Sequence, residues 1–515
     1  MLKKEHLQND YECLVNSIKS CIKNKDFERA LQLIDFASRI AYQYIFLSSF
    51  ADVRLENYIK NISELNFEPV SIVGLKNKVL FYDYFGYDNR GLTQQYLRGL
   101  MQLGKEIVYI LEQPNNYYNS YDIYNELNAY PNATIYKLNK TTNLSKAKEL
   151  IDIVINEKPS KAFLHLAPWD VVACTAFNAM QGITRYQINL TDHAFWLGIN
   201  ITDVSLEFRS FGYNLSWQKR GIEKSKLRIL PYYPIFNTHP FGGLPDQTKD
   251  KKVVFSGGSV YKILGENLVF LNLVKEILAV DPDLIFVFAG SGNVNAVNKF
   301  IKVNNLENRF ILIGDRKDIS SVLQNIDYYI TTFPFTGALM SQIAAASETP
   351  IFFFSKPNYQ CNNLSDVFYK SKNLESFNSI NDLVNRFKLI YKDESYLQSY
   401  GYALKKSMIT PLEFTEGLNQ ILQGQNPYAF LQKDFDINEY QDVACNYLLE
   451  SENQYNPQYY QSILNHFSNA DISEINGGLR LRTNNYKNKH KIKRLLNNTI
   501  AQTKYYLKRI YKIIS

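Results

Sequence analysis

The stretch Val253–Ser259 (VVFSGGS) decides how the chain is interpreted, because an apolar run ends there in two glycines. Similar short apolar runs recur downstream at Leu284–Phe288, Phe310–Ile313, Tyr328–Thr332 and Pro350–Phe354, with helix-like segments between them. Continuous apolar runs of this length are typical of parallel strands that helices cover on both faces. This part of the sequence therefore predicts a doubly wound α/β domain.

The first four of these runs each lead into a loop of small or turn-forming residues. Ligands of open α/β sheets bind at the carboxyl ends of the strands, where glycine lets backbone amides approach a phosphate closely. Four such loops in succession indicate a ligand-binding site more strongly than any single glycine pair does. The sequence therefore predicts a ligand-binding site at these loops, and its candidate residues are Gly257, Gly258, Ser259, Lys262, Gly290, Gly314, Thr336, Gly337 and Ala338.

The first half of the chain shows the same alternation. Its β-rich runs are Lys78–Tyr82, Ile107–Leu111, Ala162–Leu166 and Tyr186–Leu190, again separated by helix-like segments. A linker rich in turn formers and charge, Gly242–Lys251, separates the two series. The pattern predicts two tandem Rossmann-like domains.

The predicted organisation has four parts, since 515 residues are too many for one ordinary hydrophobic core. Helical spacing of apolar residues predicts an N-terminal helical unit over residues 1–65. A Rossmann-like domain follows over 66–245 and a second one over 246–425. Residues 426–515 are predicted to be a helical extension with a basic tail.

Composition and charge exclude several classes of protein. A hydrophobic content of 45% excludes a disordered chain, and five scattered cysteines without a CxxC pair argue against a disulfide framework or a structural zinc site. No secretory signal or membrane-spanning run is visible, which predicts a cytoplasmic location. The net charge is +7, but residues 475–515 contain eleven Lys or Arg and no acid. Subtracting these eleven leaves the remaining chain at −4, which argues against nucleic-acid binding.

The basic tail carries its own prediction. Lys504, Lys508 and Lys512 follow one another at helical spacing, and Leu507 and Ile510 can share another face. This pattern favours a helix on the anionic inner face of the plasma membrane. The alternatives are a solvated tail and a tail that docks on the acidic body of the protein.

Two loops of the first domain contain further candidate site residues. The loop after the first strand contains Arg90 and Gly91, and the loop after Tyr186–Leu190 contains Asp192, His193 and Trp196. A histidine beside a carboxylate can orient or deprotonate a hydroxyl, and a tryptophan ring can stack on a ring of a ligand. Asp192 could instead cap the following turn.

Two further polar residues have open interpretations. His165 alternates within a strand, which favours a core or cleft-edge histidine over a catalytic one. Arg209 could reach a phosphate or pair with Glu207.

On these residues, the segment 250–410 resembles the C-terminal half of GT-B glycosyltransferases, especially those that build bacterial surface polysaccharides. The resemblance implies that Gly257, Gly258, Ser259 and Lys262 contact the donor phosphates, that Gly290 ends a strand, and that Gly314 precedes the loop framing the base. It also implies that the amides of Thr336, Gly337 and Ala338 face the diphosphate. The first domain would then hold the acceptor, with His193 or Asp192 as the catalytic base and with Arg90, Gly91 and Trp196 on the acceptor side. Many retaining members have a ribose-binding Glu where this chain has Gln342, so the stereochemical outcome stays open.

The resemblance implies a hexosyltransferase that uses a nucleotide sugar, foremost a UDP-sugar, and a glycan, lipid-linked or protein acceptor. No Asp-x-Asp motif ends a strand, so we expect no metal and no other cofactor, with Lys262 and helix N-termini neutralising the phosphates. Two alternatives stay open. One is a nucleotide-sugar epimerase of the same fold, and the other is a non-catalytic glycosyltransferase-like binding subunit.

Overall fold

The structure is a computed structural model that describes residues 1–88, 92–112, 120–236, 239–364, 367–371, 374–428 and 435–455. The basic tail lies outside the described residues, so its helical character and its membrane contact stay predictions. Within the described ranges, no helix is both long enough and apolar enough to cross a membrane.

Three helices form the N-terminal unit: α1 (Lys4–Lys23), α2 (Phe27–Tyr44) and α3 (Val53–Asn66). Asp26 and Asp52 cap the second and third of these helices, each by accepting a hydrogen bond from a backbone amide of the first turn. Their apolar faces share one buried core with a face of the first sheet. The helical unit is therefore packed against the first domain and does not form a separate core.

The first domain is built on a parallel sheet of seven strands. Beside it, β1 (Val70–Ser71) and β6 (Met180–Gln181) form a two-stranded sheet. The strands of the main sheet are β2 (Leu75–Asp83), β3 (Glu106–Leu111), β4 (Ala133–Lys137), β5 (Pro159–His165), β7 (Thr184–Ile188), β8 (Val204–Glu207) and β9 (Leu227–Ile229). Their order in the sheet is β4-β3-β2-β5-β7-β8-β9. The helices are α4 (Thr93–Gln102), α5 (Tyr121–Ala129), α6 (Asn143–Glu157), α7 (Val171–Asn178) and α8 (Ser210–Gln218).

The second domain has a parallel sheet of six strands, β10 (Lys252–Gly257), β11 (Leu284–Ala289), β12 (Phe310–Gly314), β13 (Tyr328–Ile330), β14 (Ile351–Phe354) and β15 (Ser376–Phe377). Their order in the sheet is β12-β11-β10-β13-β14-β15. Its helices are α9 (Val269–Leu278), α10 (Asn295–Val303), α11 (Ile319–Leu323), α12 (Ala338–Ala346), α13 (Ile380–Ile390) and α14 (Glu394–Ser407).

Strand order places a topological switch point in each sheet. In the second sheet, β10 pairs with β11 on one side and with β13 on the other, so the connections after β10 and β13 leave in opposite directions. In the first sheet, β2 has the same position between β3 and β5. Ligands of such sheets bind in the crevice at the carboxyl ends of these strands. The prediction of two tandem doubly wound domains is confirmed.

The last two described helices link the parts of the molecule. Helix α15 (Pro411–Leu422) follows the second domain in sequence but packs on α4, and its Phe414 and Leu418 are buried in the core of the first domain. Helix α16 (Ile437–Glu450) packs into the core shared by the helical unit and the first sheet. Helices α15 and α16 therefore brace the first half of the molecule.

Candidate functional site

A pocket of about 190 Å³ lies in the cleft between the two domains. Four parts of the chain meet there, namely the end of α2, the first domain, the second domain and α16. The pocket is lined by Tyr42, Gln43, Ile45, His193, Arg209, Tyr261, Lys262, Phe335, Thr336, Cys361, Asn362 and Leu448.

A larger hollow of about 710 Å³ lies elsewhere, where β10, β11 and β13 begin. Its charged side chains pair with one another, as in Lys252 with Asp327 and Lys392 with Asp281. Because ligands of parallel sheets bind at the opposite, carboxyl ends of the strands, the interdomain pocket is the candidate site.

The loop after β10 forms one side of the pocket. Gly258 has a φ of 140°, and its N–H donates to the Ala289 carbonyl at 2.9 Å. The Lys262 side chain arches past this glycine and lines the pocket. Burial lowers the pKa of Lys262, and within the described residues its ammonium has no hydrogen-bond or ion-pair partner. A partly buried, unpaired cation is available for an anionic ligand.

The loop after β13 faces Lys262 and leads into α12. The Thr336 backbone amide donates to Asn362 Oδ1 at 3.0 Å, and Asn362 Nδ2 donates to the Pro334 carbonyl at 2.7 Å. A β-carbon built on Gly337 would lie 3.9 Å from Lys262 Nζ. The first amides of α12 have no acceptor within the helix and carry its positive end, so Lys262 and this helix N-terminus form one anion-binding corner.

The two other predicted glycines shape this corner from outside the pocket. Gly290 has no room for a side chain, because a β-carbon there would lie 1.8 Å from the Gly258 carbonyl oxygen. Gly314 has a φ of 67°, which few other residues adopt without strain, and its carbonyl accepts from the Gly290 amide. Neither residue lines the pocket, so both support the loop after β10.

Gln342 lies away from the pocket, although the resemblance placed it at the donor ribose. Its side chain is fully buried, and its amide donates to the carbonyls of Tyr232 at 2.8 Å and Val367 at 3.3 Å. Tyr232 belongs to the connection between the two domains. In this structure Gln342 therefore holds the interdomain connection, which corrects the expectation that it faces the donor.

The opposite wall contains a buried ion pair. Arg209 donates to both carboxylate oxygens of Asp192, at 2.5 and 2.9 Å, and to the Cys361 carbonyl of the second domain at 2.5 Å. Burial alone would raise the pKa of Asp192, but the Arg209 guanidinium outweighs burial and lowers it to about 2. Arg209 thus pairs with Asp192 and not with Glu207, and Asp192 stays ionised without being available as a base.

His193 lies between this ion pair and the pocket. Its Nδ1 is 3.5 Å from Asp192 Oδ1, and its side chain is 34% exposed. Tyr440 of α16 donates to the His193 carbonyl at 2.7 Å. No described residue bonds to Nε2, so this nitrogen can accept a proton from a ligand hydroxyl.

Trp196 is not at the site, which corrects the sequence prediction. Only 2% of the residue is exposed, and its ring packs with Ile222 and Leu227 under the Arg220 guanidinium, 4.9 Å from the ring centroid. No face of the ring is open to a sugar. The other two acceptor-side candidates, Arg90 and Gly91, lie outside the described residues.

His165 lies in the core as its alternation predicted. It is 1% exposed, and its Nδ1 is 3.0 Å from Asp83 Oδ1 and 3.1 Å from the Thr93 hydroxyl. These residues tie the ends of β2 and β5 to the start of α4.

Sequence reasoning missed the residues that come from distant parts of the chain. Tyr42 and Gln43 reach the pocket from α2, and Leu448 reaches it from α16. Tyr447, also on α16, donates to the Tyr261 carbonyl and packs edge-on against Phe335 with ring centroids 5.1 Å apart. No local motif marks these positions, because only the packing of the helices brings them to the cleft.

No group of three His, Cys, Asp or Glu side chains that could hold a metal ion occurs in the part of the chain that the structure describes. The expectation of a metal-independent reaction is not tested by this observation.

Comparison with known proteins gives a likeness of fold to solved structures. No family model matches the sequence, and no curated protein matches it. The solved structures that are similar include a glycosyltransferase from Rickettsia africae ESF-5, at 11% identity and a TM-score of 0.50, covering 68% of this chain and 98% of that chain. TarM is similar at 10% identity and a TM-score of 0.50, covering 68% of this chain and 99% of that chain.

The chain has the GT-B fold. In GT-B terms, the pocket lies in the interdomain cleft, with the anion-binding corner on the second domain and His193 on the first. The N-terminal helical unit and α16 are packed onto this GT-B frame and extend the wall of the cleft.

Proposed function

We propose that the protein is a metal-independent glycosyltransferase that transfers a hexosyl group from a nucleotide sugar, a UDP-sugar in the first instance, to a hydroxyl group of a glycan, lipid-linked or protein acceptor. One observation carries the proposal. Lys262 and the N-terminus of α12 form an anion-binding corner that faces His193 across a pocket open to both domains.

The corner suits the diphosphate of a donor. The Lys262 ammonium, the amides at the start of α12 and the Gly258 loop supply positive charge and donors where negative charge develops as the leaving group departs. The bond between the anomeric carbon and the phosphate oxygen breaks, and the nucleoside diphosphate leaves with the electron pair. The acceptor hydroxyl supplies the new bond to the anomeric carbon.

The first domain supports the removal of the acceptor proton. In an inverting transfer, His193 Nε2 accepts this proton as the hydroxyl attacks. Asp192 remains charged beside Nδ1 and stabilises the imidazolium that forms. Arg209 holds Asp192 in place, so Asp192 is a positioning residue in this proposal.

The lining of the pocket favours a transferase over an epimerase. A GT-B epimerase of the non-hydrolysing type typically needs several carboxylates in its cleft, and the described lining of this pocket includes no Asp or Glu. A non-catalytic binding subunit would hold a nucleotide without turning it over.

The test is incubation of the full-length protein with UDP-, GDP-, ADP- and CDP-sugars, followed by measurement of nucleoside diphosphate release and of sugar epimerisation. Release of one nucleoside diphosphate, faster with an added glycan or lipid-linked acceptor, is expected. Epimerisation without net release would support the epimerase, and binding without turnover would support the binding subunit.

Association with the membrane is a separate part of the proposal and depends on the basic tail. Truncation before Arg480 is expected to abolish co-sedimentation with anionic phospholipid vesicles and to leave nucleotide binding intact. Added salt should weaken the binding of the full-length protein, because it screens surface charge. Equal co-sedimentation of the truncated and full-length proteins would contradict this part and favour a tail that docks on the acidic body.

A further inference from the structure

The end of helix α2 presents polar groups to the pocket that the proposed chemistry does not use. Tyr42 and Gln43 occupy the last turn of the helix, and both line the pocket together with Lys262 and Thr336 of the second domain. Within the described residues, neither the Tyr42 hydroxyl nor the Gln43 amide has a hydrogen-bond partner. Polar groups that are partly removed from water without partners cost free energy, and a ligand with matching groups removes that cost.

These two side chains are held on a rigid support. The Tyr42 ring packs edge-on against Trp169 with centroids 5.4 Å apart, and the Arg39 guanidinium lies 4.2 Å from the centroid of that tryptophan ring. Gln441 of α16 donates to the Ile45 carbonyl at 2.8 Å and so fixes the end of α2. A support of this kind holds binding groups in place before the ligand arrives, which lowers the entropy cost of binding.

The size and chemistry of the pocket define what fits between α2 and the anion-binding corner. Its volume of about 190 Å³ is below the ~300–1,000 Å³ of pockets for whole drug-sized ligands, so it suits one ring and not an entire nucleotide sugar. Tyrosine and glutamine side chains together donate and accept hydrogen bonds, as sugar hydroxyls require. The rings of Tyr261 and Phe335 add apolar surface beside them.

We propose that this pocket is the subsite for the hexosyl ring of the donor, and that Tyr42 and Gln43 of the N-terminal helical unit determine which sugar it accepts. The inference rests on the proposed function, because it takes the anion-binding corner as the diphosphate site. It adds that the specificity for the sugar comes from a helical unit that precedes both Rossmann-like domains.

The test compares affinities for a nucleotide with and without its sugar. Isothermal titration calorimetry is performed with UDP, UDP-glucose, UDP-galactose and UDP-N-acetylglucosamine, or with the corresponding GDP, ADP or CDP compounds if that nucleotide is the one bound. Full-length Tyr42→Phe and Gln43→Ala are compared with the parent. Tyr58→Phe and Gln32→Ala are the controls, because these residues lie on α3 and α2 but do not line the pocket.

We expect the parent to bind one sugar nucleotide more tightly than the free nucleotide. Each pocket variant should lose about 2- to 12-fold in affinity for that sugar nucleotide, the range for one neutral hydrogen bond. The affinity for free nucleotide should stay within about twofold of the parent. The two control variants should match the parent with every ligand. Selectivity among the three sugars should narrow in the pocket variants.

Several results would overturn the inference while leaving the proposed function intact. The first is that the pocket variants bind the preferred sugar nucleotide as tightly as the parent does. The second is that the parent binds the free nucleotide and all its sugar derivatives with equal affinity. The third is that the pocket variants lose as much affinity for the free nucleotide as for the sugar nucleotide. Failure of the parent to bind any nucleoside diphosphate or its sugar derivatives would overturn the proposed function and this inference together. Thermal unfolding of each variant verifies that it is folded. If Tyr42→Phe does not fold, the affinities of Gln43→Ala decide whether the inference holds.

Discussion

The two walls of the cleft use different chemistry. On the second domain, the wall consists of the loop before α12 and the side chain of Lys262, which has no ion-pair partner among the described residues. On the first domain, it consists of side chains that hold one another, with Arg209 bound to Asp192 and Asp192 next to His193. A diphosphate can be bound by backbone amides with little help from side chains, whereas removing a proton from a hydroxyl requires an oriented side chain.

The walls also differ in what stabilises them. The second-domain loops are fixed by backbone hydrogen bonds between neighbouring strand ends, such as that from the Gly258 amide to the Ala289 carbonyl. The first-domain wall depends on a buried charge pair, so we expect it to be the more sensitive of the two to single substitutions.

The largest expected effect is on stability, from Asp192→Ala. This change leaves the Arg209 guanidinium buried without its carboxylate, and breaking a buried pair in this way costs about 3–5 kcal/mol. The free energy of unfolding from urea denaturation measures it. Asp203→Ala is the matched control, because Asp203 pairs with Arg185 in the same domain but its side chain is 36% exposed, so about 1 kcal/mol is expected.

The same pair gives a pH dependence of known sign. The pKa of Asp192 is lowered in the folded protein from 3.8 to about 2, so its ionised form stabilises the fold above about pH 4. This contribution is lost as the pH falls from about 4 through 2. The difference in unfolding free energy between parent and Asp192→Ala should therefore shrink over that range, and a constant difference would contradict an ion pair.

The second effect is on turnover, from His193→Ala. A general base contributes roughly 10²–10⁴-fold, so kcat should fall by about that factor while the affinity for the nucleotide changes little. Steady-state kinetics and calorimetry separate the two quantities. His239→Ala, at an exposed position in the interdomain connection, should behave like the parent. Turnover of His193→Ala close to the parental value would leave His193 with a structural role alone.

The third effect belongs to the other wall. Lys262→Ala should weaken nucleoside diphosphate binding by roughly 10- to 150-fold, since hydrogen bonds to charged groups contribute about 1.5–3 kcal/mol. Lys275→Ala, an exposed lysine of the same domain, serves as the control in calorimetry. Unchanged affinity in Lys262→Ala would remove the phosphate assignment from this residue.

The fold could be predicted from the sequence where strands are buried on both faces. Apolar runs such as Leu284–Phe288 mark β11, which is buried throughout. The strands β4, β9 and β15 gave no such signal, since they lie at sheet edges or are only two to five residues long. Strand β8 also lacks a long apolar run, because Ser205 and Glu207 alternate with its apolar residues. The buried Glu207 accepts hydrogen bonds from Ser205, Asn189 and Ser216.

The site could be predicted only in part, because a sequence reveals the loop that comes directly after a strand but not the side chains that approach from distant elements. The loop residues Lys262 and Thr336 come soon after β10 and β13, and the structure places both at the pocket. Trp196 also lies in a loop after a strand, yet tertiary packing buries it. Tyr42 reaches the same pocket from helix α2, which lies more than a hundred residues before His193 in the sequence.

The smallest expected effect concerns α16, which contacts both walls through two tyrosine hydroxyls. Tyr447 donates to the Tyr261 carbonyl, next to Lys262, and Tyr440 donates to the His193 carbonyl at 2.7 Å. Tyr447→Phe and Tyr440→Phe each remove one hydrogen bond and keep the ring. A neutral hydrogen bond contributes about 0.5–1.5 kcal/mol, so changes of roughly 2- to 12-fold are expected.

The two variants should differ in which quantity changes, because each hydroxyl supports a different wall. Tyr447→Phe should lower the affinity for nucleoside diphosphate and leave kcat at saturating donor near the parental value, since it loosens the turn that carries Lys262. Tyr440→Phe should lower kcat and leave nucleotide affinity unchanged, since it frees the backbone that positions His193. If both variants changed the same quantity, α16 would act on the cleft as one rigid support, and the two walls would not be independent in the way their chemistry suggests.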